Sequence, residues 1–184
     1  MRDISLHLMD LAQNSLSAGA TLVTITLSLN PEGMLDVSLQ DNGRGMDEGM
    51  ASKALSPFGT TRTTRKVGLG IPLTKHNAEL TGGTFELRSS HEAGTLVHAV
   101  FNTRSIDCLP LGNLSDTMVS LIASNPEHVD FVLRCQSPLG ESNLDTREIR
   151  GMLEGVPLNE PAVVLWLKQA LCEETEPLFG GILQ

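Results

Sequence analysis

The sequence predicts an α+β protein: a two-layer α/β sandwich whose mixed, mainly antiparallel sheet is covered by helices, with a small α/β extension at the carboxyl end. Three observations predict it. Period-two alternation comes in close pairs, at 21–29 with 34–41 and at 84–90 with 95–102, so consecutive strands read as hairpins. Helical periodicity precedes each pair, at 4–18 and 71–80. No G-x-G-x-x-G follows a strand in a βαβ unit, which argues against a nucleotide fold built on a parallel sheet.

The elements follow in order. Ile4, Leu8, Leu11, Ala12 and Leu16 form an apolar stripe on the first helix, which Gly19 ends. Val23, Ile25, Leu27 and Leu29 alternate with Thr24, Thr26 and Ser28, and "NPEG" turns the chain into Met34–Asp41. The run "DNGRGMDEG" breaks that strand, and a short helix is expected near Ala51–Leu55. Residues 56–70 lack a period and read as a loop of hydroxyls, glycines and cations. Pro72 suits the first turn of the next helix, and "TGGT" ends it before the second hairpin, which turns at "HEAG".

The pattern changes after Arg104, and two segments are expected: one domain at 1–104 and an acidic subdomain of unknown role at 105–184. In the second, 107–116 reads as a linker, 116–124 as a helix and 129–135 as a strand. Helices at 144–153, capped by Asp145, and at 160–172 complete it, with Trp166 expected in the core. The net charge of −9 is uneven. Residues 1–104 carry 9 Lys+Arg against 10 Asp+Glu, and residues 105–184 carry 4 against 12. Nucleic-acid binding needs clustered cations on phosphates, so no nucleic-acid partner is expected. The 3 cysteines show no CxxC or metal-ligand spacing and read as free thiols. With no leader or membrane-length apolar run, the expected location is cytoplasmic, away from membranes.

The polar residues are more informative. His7, Asp10 and Asn14 share one helix face, which alone reads as solvated. His7 and His76 read as helix-surface histidines. Asp41 is in phase with Leu35, Val37 and Leu39, so its carboxylate faces the covered side of the sheet. A carboxylate there needs a donor, either a backbone N–H or a ligand's amino group. Gly43 and Gly45 permit the close backbone approach that a ligand requires. "GLGI" at Gly68–Ile71 opens a helix, whose free N–H groups and dipole suit an anion, although no Walker loop is present.

The ordered set "DLAQNSLSAGAT", "DNGRG", "PFGTTRTTRKVGLGI" and "AGT" resembles the GHKL ATPases, the gyrase, heat-shock chaperone, histidine kinase and MutL nucleotide domains that share the Bergerat fold. The first motif is most similar to the MutL helix; the third is similar to the histidine-kinase lid and glycine box. The resemblance covers about Ile4–Phe101 and implies ATP and Mg²⁺ as ligands. It assigns Asn14 to the metal and Asp10 to the catalytic base, where hydrolysing members usually have the longer Glu. Asp41 would receive the adenine amino group, with Gly43, Gly45, Met46, Thr95 and the small Ala18 around the base. Phe58, Thr60, Thr61 and Arg62 fall in the lid, and Gly68, Leu69 and Gly70 would cradle phosphates.

The first helix begins within the opening residues, so the phosphoacceptor is expected on a separate protein. The resemblance therefore implies an Mg-ATP-binding, histidine-kinase-like regulatory kinase acting on that partner. The alternatives are a slow ATPase switch of MutL type, with a homodimer as its natural assembly, and a non-catalytic ATP sensor.

Overall fold

A computed structural model describes residues 2–56 and 69–180. Its elements run α1 (Ile4–Ser17), β1 (Leu22–Leu29), β2 (Met34–Asp41), α2 (Glu48–Ala54), α3 (Gly70–Leu80), β3 (Thr84–Ser90), β4 (Gly94–Asn102), α4 (Leu114–Ser124), β5 (Asp130–Ser137), β6 (Gly140–Asp145), α5 (Thr146–Met152) and α6 (Pro161–Phe179). The α+β expectation holds: the strands form one mixed sheet of 6, ordered β3-β4-β2-β1-β5-β6. All pairings are antiparallel except β1 with β5.

Alternation in the sequence becomes a two-faced sheet because successive side chains point to opposite faces. Val23, Ile25 and Leu27 of β1 lie level with Asp41, Leu39 and Val37 of β2 and with Phe131, Leu133 and Cys135 of β5. Val97, Ala99 and Phe101 of β4 extend the same face. These residues are buried against the helical layer, in which α1 packs on α3 and α4, and α4 packs on α6. The other face carries Thr24, Thr26, Ser38 and His98, all half-buried, with His98 Nε2 2.7 Å from Asp36 Oδ2.

Residues beyond Arg104 continue this sheet and core. The stretch expected as a linker packs along the start of α1: Ser5 N and Oγ both donate to the Leu111 carbonyl, at 2.8 and 2.6 Å. Leu111 is buried, and the last part of the stretch already belongs to α4. Asp145 caps α5 as expected, its side chain accepting from Arg147 N. The expected helix start at 144 is corrected, because Gly140–Asp145 forms edge strand β6. Trp166 is also corrected: it is 50% exposed, while its neighbour Leu167 is 1% exposed, on a helix that packs against α4, β5 and β6. Cys108, Cys135 and Cys172 are free thiols. Among the described residues no helix is long and apolar enough to cross a membrane.

Candidate nucleotide site

The inner face of the sheet ends in a polar row. Ser89 of β3, Thr95 of β4 and Asp41 of β2 are cross-strand neighbours, continued by Val23 of β1. Asp41 is only 5% exposed. Its Oδ1 accepts from Gly43 N at 2.9 Å and Thr95 N at 3.3 Å, and its Oδ2 accepts from Ser15 Oγ at 2.5 Å. Both readings of the buried carboxylate therefore have content. Backbone N–H groups do bind it, and one oxygen keeps acceptor capacity beyond the Ser15 bond. Ser89 Oγ lies 2.8 Å from Thr95 Oγ1 and accepts from Met46 N at 2.9 Å, tying the turn after β2 to the hairpin β3–β4.

The turn itself is clipped to α1. Asn42 Oδ1 accepts from Thr21 N and Leu22 N, both at 2.9 Å, and Arg44 N donates to the Ala18 carbonyl at 3.0 Å. Its glycines are required by contact. A Cβ on Gly43 would meet the Ala18 side chain at 2.9 Å, and one on Gly45, at φ +62°, would meet Ser90 O at 1.9 Å. Ala18 must accordingly be small.

A cavity of about 360 Å³ opens between α1, the turn and the β-sheet. Leu11, Leu39, Ile71 and Val97 give it an apolar wall; Asn14, Ser15, Asp41 and Thr95 are among its polar residues, and Arg44 and Lys53 also line it. Of the residues expected at a nucleotide, Ala18, Gly45 and Met46 also line it, and Gly43 lies behind Ala18. Asp10 is exposed at the α1–α3 seam, where a Cβ on Gly70 would stand 3.1 Å from Asp10 Cβ and 3.7 Å from Asn14 Nδ2. Leu69 precedes α3 there and is exposed; among the described residues no side chain caps the first N–H groups of α3. Phe58, Thr60, Thr61, Arg62 and Gly68 lie outside the described residues.

Sequence reasoning missed several residues here, including the cavity-lining cations Arg44 and Lys53. Ser15, one position after Asn14, holds the carboxylate; Ser89 completes the polar row; Met50 of α2 lines the cavity. Period-two phasing with Phe85 and Leu87 was an available signal for Ser89. His7 is a correction: it is 1% exposed, not on the surface, with Nδ1 3.1 Å from Thr74 Oγ1 and Nε2 2.9 Å from Asn77 Nδ2 of α3. Burial pushes its pKa down to about 4, so the ring is neutral near pH 7. His76 is exposed, as expected.

A helix-flanked sheet with a carboxylate buried at its inner end and an uncapped helix beside it is a pocket for a small polar ligand carrying a donor and an anion. The chain belongs to the histidine kinase-, DNA gyrase B- and HSP90-like ATPases, whose family model matches residues 2–105, α1 through β4. Membership supports ATP binding. Comparison with curated proteins gives no significant match. Among solved structures, one described as the N-terminal domain of a DNA repair protein is similar at 13% identity and a TM-score of 0.46. The match covers 79% of this chain and 52% of that one, so the chain spans about half that neighbour's length.

The pocket fits the family's ligand on its own chemistry. A carboxylate accepts only, so Asp41 calls for a donor such as an exocyclic amine. Turn glycines that leave no room for a Cβ keep backbone close beneath the cavity. The Asn14 amide offers an oxygen of the kind Mg²⁺ takes, beside the α3 amino end. Among the described residues no cluster of three or more His, Cys, Asp or Glu is placed to hold a metal.

Proposed function

We propose that this chain binds Mg-ATP in the α1–β2 cavity and uses it as a histidine-kinase-like regulatory kinase, transferring phosphate to a separate protein. The single observation that carries the binding is Asp41, a carboxylate buried at the end of an apolar sheet face with an acceptor site left over. In this reading Asp41 takes the adenine amino group, with Gly43, Gly45, Met46, Ala18 and Thr95 around the base. Asn14 holds the metal, Gly68, Leu69 and Gly70 take the phosphates, and Phe58, Thr60, Thr61 and Arg62 belong to the lid.

ATP would supply the phosphoryl group, and Mg²⁺ would spread its charge. The protein's part is positional. In this reading Asp10, exposed beside Gly70, takes the proton of an attacking hydroxyl; a histidine acceptor needs no such base. That exposure also favours the second reading, an ATPase switch in which water is the attacking group. The α1 motif similar to MutL supports it too.

Asp41→Asn turns an acceptor into a mixed donor–acceptor and removes a charge-assisted bond. Mg-ATP affinity, measured calorimetrically, should fall roughly tenfold to a hundredfold; unchanged affinity would remove the assignment. Asp10→Ala should leave affinity intact and slow hydrolysis or hydroxyl phosphorylation by about a hundredfold or more. Label from γ-labelled ATP appearing on a partner protein supports the kinase; label appearing only as free phosphate supports the switch.

A further inference from the structure

The histidine that the sequence places on a polar helix face is the hub of a directed chain of hydrogen bonds between two parts of the site. Thr74 Oγ1 lies 2.7 Å from the Gly70 carbonyl, which can only accept, so the hydroxyl spends its one proton there. The 3.1 Å contact with His7 must then run the other way, from Nδ1–H to the hydroxyl oxygen. A neutral ring with its proton on Nδ1 has an accepting Nε2, and Asn77 Nδ2 donates to it at 2.9 Å. The order is Asn77 to His7 to Thr74 to Gly70. Every donor and acceptor along it is matched, and no buried side-chain atom among the described residues is left without a partner.

The two ends of this chain matter. His7 sits on α1 two turns before Asn14, and Gly70 is the first residue of α3. Gly70 packs so closely on α1 that an added Cβ would touch Asp10 and approach Asn14. The α3 amino end is thus held at the same spot as the two polar residues of α1, and the one polar tie between the helices recorded among the described residues runs through His7.

We propose that His7 is a positioning residue, fixing the free N–H groups at the start of α3 against Asn14 so that both meet the same phosphates. This rests on the Mg-ATP reading. His7 touches no ligand itself. Its effect is confined to the phosphate end, because the adenine end is built from Asp41, Ser15 and the β3–β4 hairpin, which it does not contact.

The test compares Mg-ATP with adenosine, by calorimetry, in wild type and four variants. His7→Leu should weaken Mg-ATP about tenfold and leave adenosine within about twofold, since the base end is untouched. Thr74→Val, which removes the hydroxyl and keeps the shape, should do the same. Its effect should not add to that of His7→Leu, because both break one chain.

Two amides then separate positioning from filling. His7→Asn can place its amide N–H where Nδ1–H was and should restore Mg-ATP binding; His7→Gln reaches only the Nε2 position and should not. Nitrogen chemical shifts of the wild-type ring should show a neutral Nδ1–H tautomer at pH 7. Equal loss of adenosine and Mg-ATP, equal behaviour of the two amides, or an Nε2–H ring each overturns the proposal. If His7→Leu does not fold, Thr74→Val and the ring shifts still decide. Wild type that binds neither compound overturns the ATP reading and this inference together, whereas wild-type binding with no effect at His7 or Thr74 overturns this inference alone.

Discussion

A helical wheel assigns a side chain to a face and is silent about what covers that face. His7, Asp10 and Asn14 share one, yet the first is buried, the second exposed and the third half-buried. The difference is made by α3, whose Thr74 and Asn77, 67 and 70 residues further along the chain, cover His7, while only Gly70 at its start reaches Asp10 and Asn14. Asp41 was legible for the opposite reason: a strand's period of two ties one residue to its neighbours, and Leu35, Val37 and Leu39 fixed its direction. Ser15 escaped because a serine beside an asparagine looks like any helix-surface hydroxyl. The buried ring has a consequence for stability. Its pKa falls from 6.5 in the open chain to about 4 in the fold, so the unfolded state binds the extra proton between those values. Its contribution is complete above pH 6.5 and is lost as pH falls towards 4, with no further loss below. At about 1.4 kcal/mol per tenfold change in proton affinity, the lost stability is on the order of 3 kcal/mol. Urea titrations from pH 7.5 to 4 should show this slope in wild type and its absence in His7→Asn; parallel curves would contradict it.

Elements with a strong apolar period were the legible ones. The span Met34–Asp41 was expected and is β2; in the second hairpin β3 has its expected bounds and β4 starts one residue early, at Gly94. Strand β6 was not legible: "GESNLD" at 140–145 offers little apolar alternation, because an edge strand is held by one neighbour's backbone and needs few buried side chains. The last helix was expected over 160–172. It continues to Phe179, with Thr175, Leu178 and Phe179 buried. Its register also reverses the expectation for Trp166. Leu167→Ala should cost about 2–5 kcal/mol, as a buried leucine does. Trp166→Ala should cost clearly less, since half its surface already meets solvent. Denaturation midpoints of the two variants check the order; a larger loss at Trp166 would mean that this surface is covered in solution.

For the molecule as a whole, the family's motifs were legible because four of them occur in order, whereas the place of the last eighty residues was not. Nothing in a local pattern says that β5 will lie parallel to β1, since a parallel pair has no turn to announce it. Charge and composition set 105–184 apart, and the acidic segment remains our candidate for a separate role, yet β5 covers an edge of β1 and α4 packs on α1. A chain cut after Arg104 would expose that edge together with Ile25 and Leu27, both fully buried here. It should aggregate or lose cooperative unfolding; a monomeric fragment with a sharp transition and undiminished Mg-ATP affinity would show the extension to be dispensable. The same pairing puts a clock on synthesis. Leu22 meets Asp130, so every residue proposed to hold the nucleotide has been translated before the strand that seals β1 exists. A nascent chain that ends before β5 should therefore bind Mg-ATP no better than the cut chain does.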